Sequence, residues 1–412
     1  MKEIGKYSFG VGDRFGKEGT AQLQAVLEVW KAGGEVTPVW NKSHREHSTV
    51  GTKPRSLRDE ADEAVKDLHF DNPYFVDADH INFNTVDPFI PVSDFFTIDV
   101  AEFIGKPAPT QEEERFLSFF KRYSGELKIP GIAHKFQISR THLREMLDTF
   151  LLAAKNAGEV YSYIRKNREK NFHVEVSMDE VEEAQSPAEL FFILSALAFY
   201  KVPVNTIAPK FTGRFNKGVD YEGDIDKFSK EFEEDLLVLK YAIREFDLPA
   251  NLKLSVHTGS DKFSLYPVIN SLIKKHDAGL HLKTAGTTWL EELLGLAESE
   301  GEGFTFCTAL YNEALERYEE LTRDYASVLS IDQKILPAPD SFRSGASFAA
   351  ALRHEQESSE YNPHFRQLLH CAYKIAAEKE ANFFPLLERY RERIAANVTD
   401  NLFRKHLKPL FL

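Results

Sequence analysis

The sequence predicts an α/β protein: a (β/α)8 TIM-like barrel with insertions and a C-terminal helical extension. Three observations carry this expectation. Short apolar segments alternate with helical ones, most regularly from Lys170 to Glu300, which implies a parallel sheet with helical crossovers. There are enough such units to close a barrel, with an open doubly wound sheet as the alternative. The chain, at 412 residues and 42% hydrophobic, is long enough for one large domain with insertions, or for two.

The elements follow in order. "KYSFGVG" reads as the first strand. The helix "TAQLQAVLEVWKAGG" comes next, closed by Gly33 and Gly34 as a C-cap. "EVTPVWNKS" and "PYFVDADHIN" are the second and third strands. "FFTIDVAEFIG" is a fourth strand, or a strand entering a helix. From about Thr141 to Arg168, Leu143, Met146, Leu147, Phe150, Leu151 and Ala154 recur at helical spacing. Then come the strand "FHVEVSMDE", the helix "PAELFFILSALAFYK", the strand "VPVNTIAPK" and the acidic helix "DIDKFSKEFEEDLLVLKYAIREF". The strands "LKLSVHTGS" and "GLHLKTAG" follow, separated by a short helix after Ser264. The helix "TWLEELLGLAESEG" closes the alternation, and the rest is mostly helical. We therefore expect a barrel-like catalytic domain over residues 1–330 and a helical extension over 331–412, packed on it.

Composition narrows the function. A net charge of −13 disfavours nucleic acid as a partner, because phosphate binding needs a basic face. A few convergent Lys and Arg still suffice to hold one carboxylate. Two cysteines without a CxxC imply neither a disulfide framework nor a zinc ribbon. No signal-peptide core and no membrane span is evident, so a cytoplasmic protein is expected. Neither GxGxxG nor GxxxxGK[ST] occurs in the right context, so no nicotinamide cofactor is expected.

In a barrel of this kind, chemistry sits where strands end. The polar residues there are Asp13 and Arg14, then Asp77, Asp79 and His80, then Glu175, Lys210 and His257, and finally His281 and Lys283. Strand side chains alternate, so His281 and Lys283 share a face, as do Asp77 and Asp79. His80 points away from those two unless the strand has already ended. Two imidazoles and a carboxylate from separate strands suit a divalent metal: Zn, Mn, Ni, Co or Fe. Glu175, His257 and His281 are the preferred set. Plainer readings stand beside this one. Either histidine can be a hydrogen-bonded structural residue, and Glu175 a helix cap. Asp179 and Glu180 read as a solvated helix start. His44, His47, His134, His142, His354, His364 and His370 read as surface or packing residues. The Phe-rich "ELFFILSALAFY" reads as core. "APKFTGRFNKGVDYEGD" offers Lys210, Arg214 and Lys217 near two glycines, either as a structural loop or as an anion clamp.

"VGDRFG", "FVDADHIN", "HVEVSMDE", "APKFTGRFNKGVDYEGD", "SVHTGSDKFSLYP" and "HLKTAGTTWLE" occur in this order, between Val11 and Glu291. Together they resemble the tagaturonate epimerase family, whose members interconvert tagaturonate and fructuronate and are similar to ketohexose 4-epimerases. The C-terminal third carries no matching motif. The resemblance implies a divalent-metal sugar epimerase on a barrel-like fold, acting on a keto-uronate or ketohexose. In that substrate class the inverted carbon lies β to the ketone, where direct enolisation does not acidify its C–H. Without a dinucleotide fingerprint, retro-aldol cleavage and re-addition is the favoured route. It needs a Lewis acid, a base and matching acid, and an anchor for the sugar carboxylate. On chemical grounds, Asp79 or Asp261 is the base or acid, and Lys283 or Lys210 stabilises negative charge. Arg14, Lys262 and Arg214 hold the carboxylate, with Asp13 and His80 also facing substrate. The competing expectations are a metal-dependent ketose/aldose isomerase or aldolase, and a non-catalytic uronate-binding barrel. The sequence leaves the oligomeric state open.

Overall fold

The computed structural model describes residues 3–179, 181, 183–284 and 287–412. Glu180, read above as part of a helix start, lies outside them, as do positions 285–286 at the end of "HLKTAG".

The strands are β1 (Tyr7–Gly12), β2 (Thr37–Ser43), β3 (Phe75–Ile81), β4 (Phe95–Asp99), β5 (Gly125–Leu127), β6 (Phe136–Ile138), β7 (His173–Ser177), β8 (Thr206–Ala208), β9 (Lys253–His257) and β10 (Leu280–Thr284). Eight of them close in the order β1-β10-β9-β8-β7-β4-β3-β2, every pairing parallel. This is the expected (β/α)8 barrel, and the open sheet is set aside. The short antiparallel pair β5 and β6 stands outside the barrel and was not expected. It belongs to an insertion between β4 and β7.

Alternation fills the barrel in layers. Buried Ile4, Val39, Phe75 and Phe95 form an apolar plug at its base. Above them the inward positions turn polar. The register sets Thr97, Glu175 and Thr206 side by side on three neighbouring strands, and pairs Lys283 with His257 on two others. The larger core lies outside the strands, between sheet and helices, and holds Phe191, Phe192, Leu194 and Leu197 of the Phe-rich helix Pro187–Phe199. Its start carries a capping box, with Ser186 and Glu189 satisfying each other's backbone N–H groups. The long helix expected from Thr141 runs as Arg140–Met146 and Leu152–Asn167, joined by a π-helical turn at Leu147–Leu151.

The helix Thr287–Glu298 completes the eighth β/α unit. From Gly301 onward a helical layer covers one side of the barrel. The helices Gly345–Leu352 and Arg391–Asp400 pack on Thr287–Glu298, and the chain end reaches β1, where Phe411 meets Tyr7 at 5.1 Å between ring centroids. Among the described residues no helix is long and apolar enough to cross a membrane.

Candidate active site

The polar residues converge at the carboxyl ends of the strands, around Lys283. Its ammonium lies 2.7 Å from Asp77 Oδ2, 2.8 Å from Asp79 Oδ1 and 2.9 Å from Glu175 Oε1, and it also donates to Thr97 Oγ1. Thr97 donates in turn to Asp77 (2.9 Å), and Thr206 donates to Glu175 Oε2 (2.6 Å). His257 bridges two acids, with Nε2 at 2.8 Å from Glu175 Oε1 and Nδ1 at 3.1 Å from Asp179 Oδ2. His80 Nδ1 lies 2.9 Å from Asp79 Oδ1, and its ring stands 5.2 Å from that of His257.

His80 reaches this group by a backbone irregularity. It sits at φ 51°, in the left-handed region unusual for a non-glycine residue, and the β3–β4 register shifts between Ala78 and Ile81. Plain alternation would turn His80 away from Asp79; the kink at the bulge brings it round. Strain concentrated at a polar cluster is typical of functional sites.

The electrostatics follow from burial and charge. Burial raises Asp77 to about 6, with Lys283 working against it. Burial opposes ionisation of Glu175 as well, yet Lys283 and His257 hold it well below the usual carboxylate range. Asp79 is likewise held low, by Lys283 and His80 against burial. Burial pulls His257 down, but Asp179 and Glu175 push it up to about 9; Asp79 does the same to His80, up to about 10. Lys283 stays an ammonium, because its carboxylates outweigh burial.

The expected metal trio does not assemble. His281 lies two residues below Lys283 on β10, fully buried, with Nδ1 2.9 Å from Ser8 Oγ, and burial pulls it down to about 3. Glu175 is already shared by Lys283, Thr97, Thr206 and His257. Among the described residues, the group whose ligand atoms lie within 4.8 Å of one another is His80, Asp179 and His257. Their chemistry fits a divalent ion. Two imidazoles and a carboxylate converge, and Asp79 and Glu175 each engage one ring nitrogen of a histidine, the arrangement that orients metal-binding imidazoles. Asp179, read from sequence as a solvated helix start, is thus part of the site. The available signal was its position four residues after Glu175, past a strand end.

The other expected site residues make different contacts. Asp13 is a turn cap: its carboxylate accepts from the N–H groups of Phe15, Gly16, Lys17 and Glu18 at 2.6–2.9 Å. Asp261 is fully buried against the helical extension, bound by Arg366 (2.7 Å), His354 (2.9 Å) and His406 (3.2 Å). Lys262 is buried too, and its ammonium donates to the carbonyls of Val219 (2.8 Å) and Asn216 (3.0 Å). His354 thus makes a buried hydrogen bond to Asp261 rather than being inert packing. Lys210 contributes its backbone N–H to Gln185 (2.5 Å), and Arg214 is exposed, with its backbone paired to Glu222. Arg14 does lie on the mouth side, buried, donating to the His370 carbonyl (3.0 Å) with its guanidinium stacked 3.9 Å from the centre of the Tyr373 ring. A surface cleft of about 1180 Å³ lies apart from all of this, outside the barrel between Glu18, Glu60 and Arg391.

A closed parallel barrel with acids, histidines and a lysine joined at its strand ends defines an enzyme of the (β/α)8 class. A family model described as tagaturonate epimerase matches residues 2–410, and the chain belongs to that family. It is therefore an isomerase of the carbohydrate-epimerase type. It is 28% identical, over 97% of its length and 79% of the relative's, to a tagaturonate/fructuronate epimerase from Thermotoga maritima. The crystal structure of a glycerol complex of fructuronate-tagaturonate epimerase from Cohnella laeviribosi superposes with a TM-score of 0.82 at 23% identity, covering 99% of this chain and 82% of that one. A probable tagatose 6-phosphate kinase from Sinorhizobium meliloti shares the fold more loosely, with a TM-score of 0.52 at 10% identity, over 98% of this chain and 99% of that one.

Proposed function

We propose that this chain interconverts tagaturonate and fructuronate, inverting the carbon β to the ketone by retro-aldol cleavage and re-addition. The observation that carries the reading is the single network joining Lys283, Asp79, Glu175, His257, Asp179 and His80 at the barrel mouth. Family membership supports the substrate pair.

His80, Asp179 and His257 would hold a divalent ion, which when bound supplies Lewis acidity toward the substrate's ketone. The chain's own groups do the rest. Asp79, at the mouth and beside Lys283, takes the proton from the hydroxyl on the carbon being inverted and returns it after the aldehyde fragment has turned. Asp77 is fully buried beneath it and anchors Lys283, so reach favours Asp79 even though Asp77 has the higher pKa. The Lys283 ammonium stabilises the negative charge that develops on substrate oxygen. Glu175 fixes the His257 ring. The apolar plug beneath keeps water out from below. No nicotinamide enters this route, and a cytoplasmic location accords with it.

The test is metal analysis of the purified protein coupled to an NMR assay on each uronate. We expect bound divalent metal, interconversion of the two sugars, and loss of both in His257→Ala. Full metal content in His257→Ala would remove His257 from the ligands. Conversion to an aldose instead of the epimer would replace epimerisation with ketose/aldose isomerisation.

A further inference from the structure

Eight strands enclose a lumen that side chains fill, so a lysine that crosses it needs room at its root. Lys283 makes such a crossing. It stands on β10, directly opposite β4 in the ring of strands. Its ammonium reaches Thr97 on β4, as well as Asp77, Asp79 and Glu175. The ammonium lies over the Phe95 ring of the apolar plug, 5.9 Å from its centre.

The room is on β1. Gly10 is the register partner of Lys283. Ser8, two residues earlier on the same face, turns its hydroxyl inward to His281. Gly10 therefore leaves one inward position bare, level with Lys283. Two neighbours close over it. A Cβ placed on Gly10 would stand 2.8 Å from Lys283 Cγ, 3.2 Å from Lys283 Cα and 2.7 Å from Asn41 Nδ2. Non-bonded carbons settle at about 3.5–4.0 Å, so no side chain fits there while Lys283 keeps its path. Asn41, on β2, is buried, and among the described residues its Nδ2 has no hydrogen-bond partner. Packing, not bonding, holds this amide beside the bare position. A lysine stem is flexible, so meeting three carboxylates and a hydroxyl at once requires confinement. Phe95 lies under its tip, and Gly10 and Asn41 flank its root.

We propose that Gly10 is a positioning residue: its missing side chain, faced by the Asn41 amide, fixes the path by which Lys283 crosses the barrel to Asp77, Asp79 and Glu175. This deepens the epimerase reading and rests on it for the part Lys283 plays in turnover. The path itself stands on geometry alone. Neither Gly10 nor Asn41 touches the substrate in this scheme; both act through Lys283.

The test is Gly10→Ala, followed by three measurements. NMR turnover gives kcat and KM, metal analysis gives the bound ion, and mass spectrometry after acetic anhydride treatment gives the rate at which Lys283 is acylated. We expect kcat to fall about 10²-fold, the cost of misplacing a group by about 1 Å, with KM within about twofold. Metal content should hold, because His80, Asp179 and His257 lie on other strand ends. Lys283 should acylate about tenfold faster or more, because an ammonium drawn away from its carboxylates deprotonates more readily. The double variant Gly10→Ala with Asn41→Ala gives the new methyl the space of the amide and should recover part of the lost kcat. Should Gly10→Ala fail to fold, Asn41→Ala alone carries the test, with kcat and acylation moving in the same directions. Unchanged acylation of Lys283 overturns the proposal whatever happens to kcat, and so does loss of the ion along with kcat. A wild-type protein that epimerises neither uronate, while Gly10→Ala still frees Lys283, leaves the path standing and removes the reaction. Epimerisation by the wild type with no effect of Gly10→Ala on Lys283 does the reverse.

Discussion

Asp77, Asp79 and Glu175 crowd one ammonium, so the charge state of the barrel mouth hangs on Lys283. Replacing Lys283 by Met leaves three buried carboxylates without their cation. We expect kcat to fall by at least about 10²-fold, as when one stabilising donor is removed from an active site. We also expect the fold to lose about 3–5 kcal/mol, as when one partner of a buried ion pair is deleted. NMR turnover and urea unfolding measure the two, and a variant with wild-type kcat would remove Lys283 from the chemistry. Metal content distinguishes the histidines in the same way. His80→Ala and Asp179→Ala should lose the ion, whereas His281→Asn, altered one layer deeper beside Ser8, should keep it. An ion lost only in His281→Asn would reinstate the trio expected from sequence. These residues also mark how far the sequence could be read. Lys283 and Asp79 were legible, because alternation from a strand end places both inward. His80 was legible as a strand-end residue facing substrate, but its turn back onto Asp79 and toward His257 was not, because a left-handed residue at a bulge has no signature in one sequence. Asp179 was hidden by the acid-rich stretch around it.

The loop after β9 shows the same limit at the level of an element. "HTGSDK" reads locally as a turn presenting Asp261 and Lys262 to the mouth. Instead Asp261 is gripped from behind by Arg366, His354 and His406, which lie about a hundred residues or more further on. No local pattern foretells partners so distant. The consequence is structural: three side chains of the extension pin the loop that leaves His257. Asp261→Asn should therefore cost about 3–5 kcal/mol at neutral pH, because it leaves the fully buried Arg366 unpaired. Burial raises the Asp261 carboxyl, but Arg366 and the two histidines bring it well below the usual range. A carboxyl with a depressed folded pKa lends stability above its unfolded value and loses it as pH falls through the folded one. The difference between wild type and Asp261→Asn should thus shrink on acidification below about pH 4, the unfolded Asp value. Urea midpoints at pH 7 and pH 3 measure it, and a difference that grows at pH 3 would contradict the pairing.

Across the whole molecule, the alternation of short apolar strands and helices was enough to predict a parallel sheet and to favour the closed barrel over an open one. The same chemistry that sets period and polarity also closes the sheet. The extension resisted reading because its work is tertiary: it supplies the partners of Asp261, and these have no sequence pattern. Packing it on the barrel also buries acids. Burial raises Glu18 to about 8 and Glu291 to about 7, and lifts Glu292 well above the usual range. These shifts have the opposite sign to that of Asp261. Between the unfolded value near 4.3 and the folded values, the unfolded chain releases protons that the folded chain still holds. Stability therefore falls as pH climbs from about 4.3 toward 8, at up to about 1.4 kcal/mol per pH unit for each group in its window. Glu291→Gln isolates one contribution. The amide keeps the oxygen that accepts from Asn401 (3.0 Å) and removes the titration. The variant should match wild type near pH 4 and exceed it by about 1–3 kcal/mol at pH 8, where wild type holds a buried carboxylate. Urea unfolding at pH 4, 6 and 8 reads this directly. A stabilisation already complete at pH 4 would mean that packing, not charge, separates the two proteins.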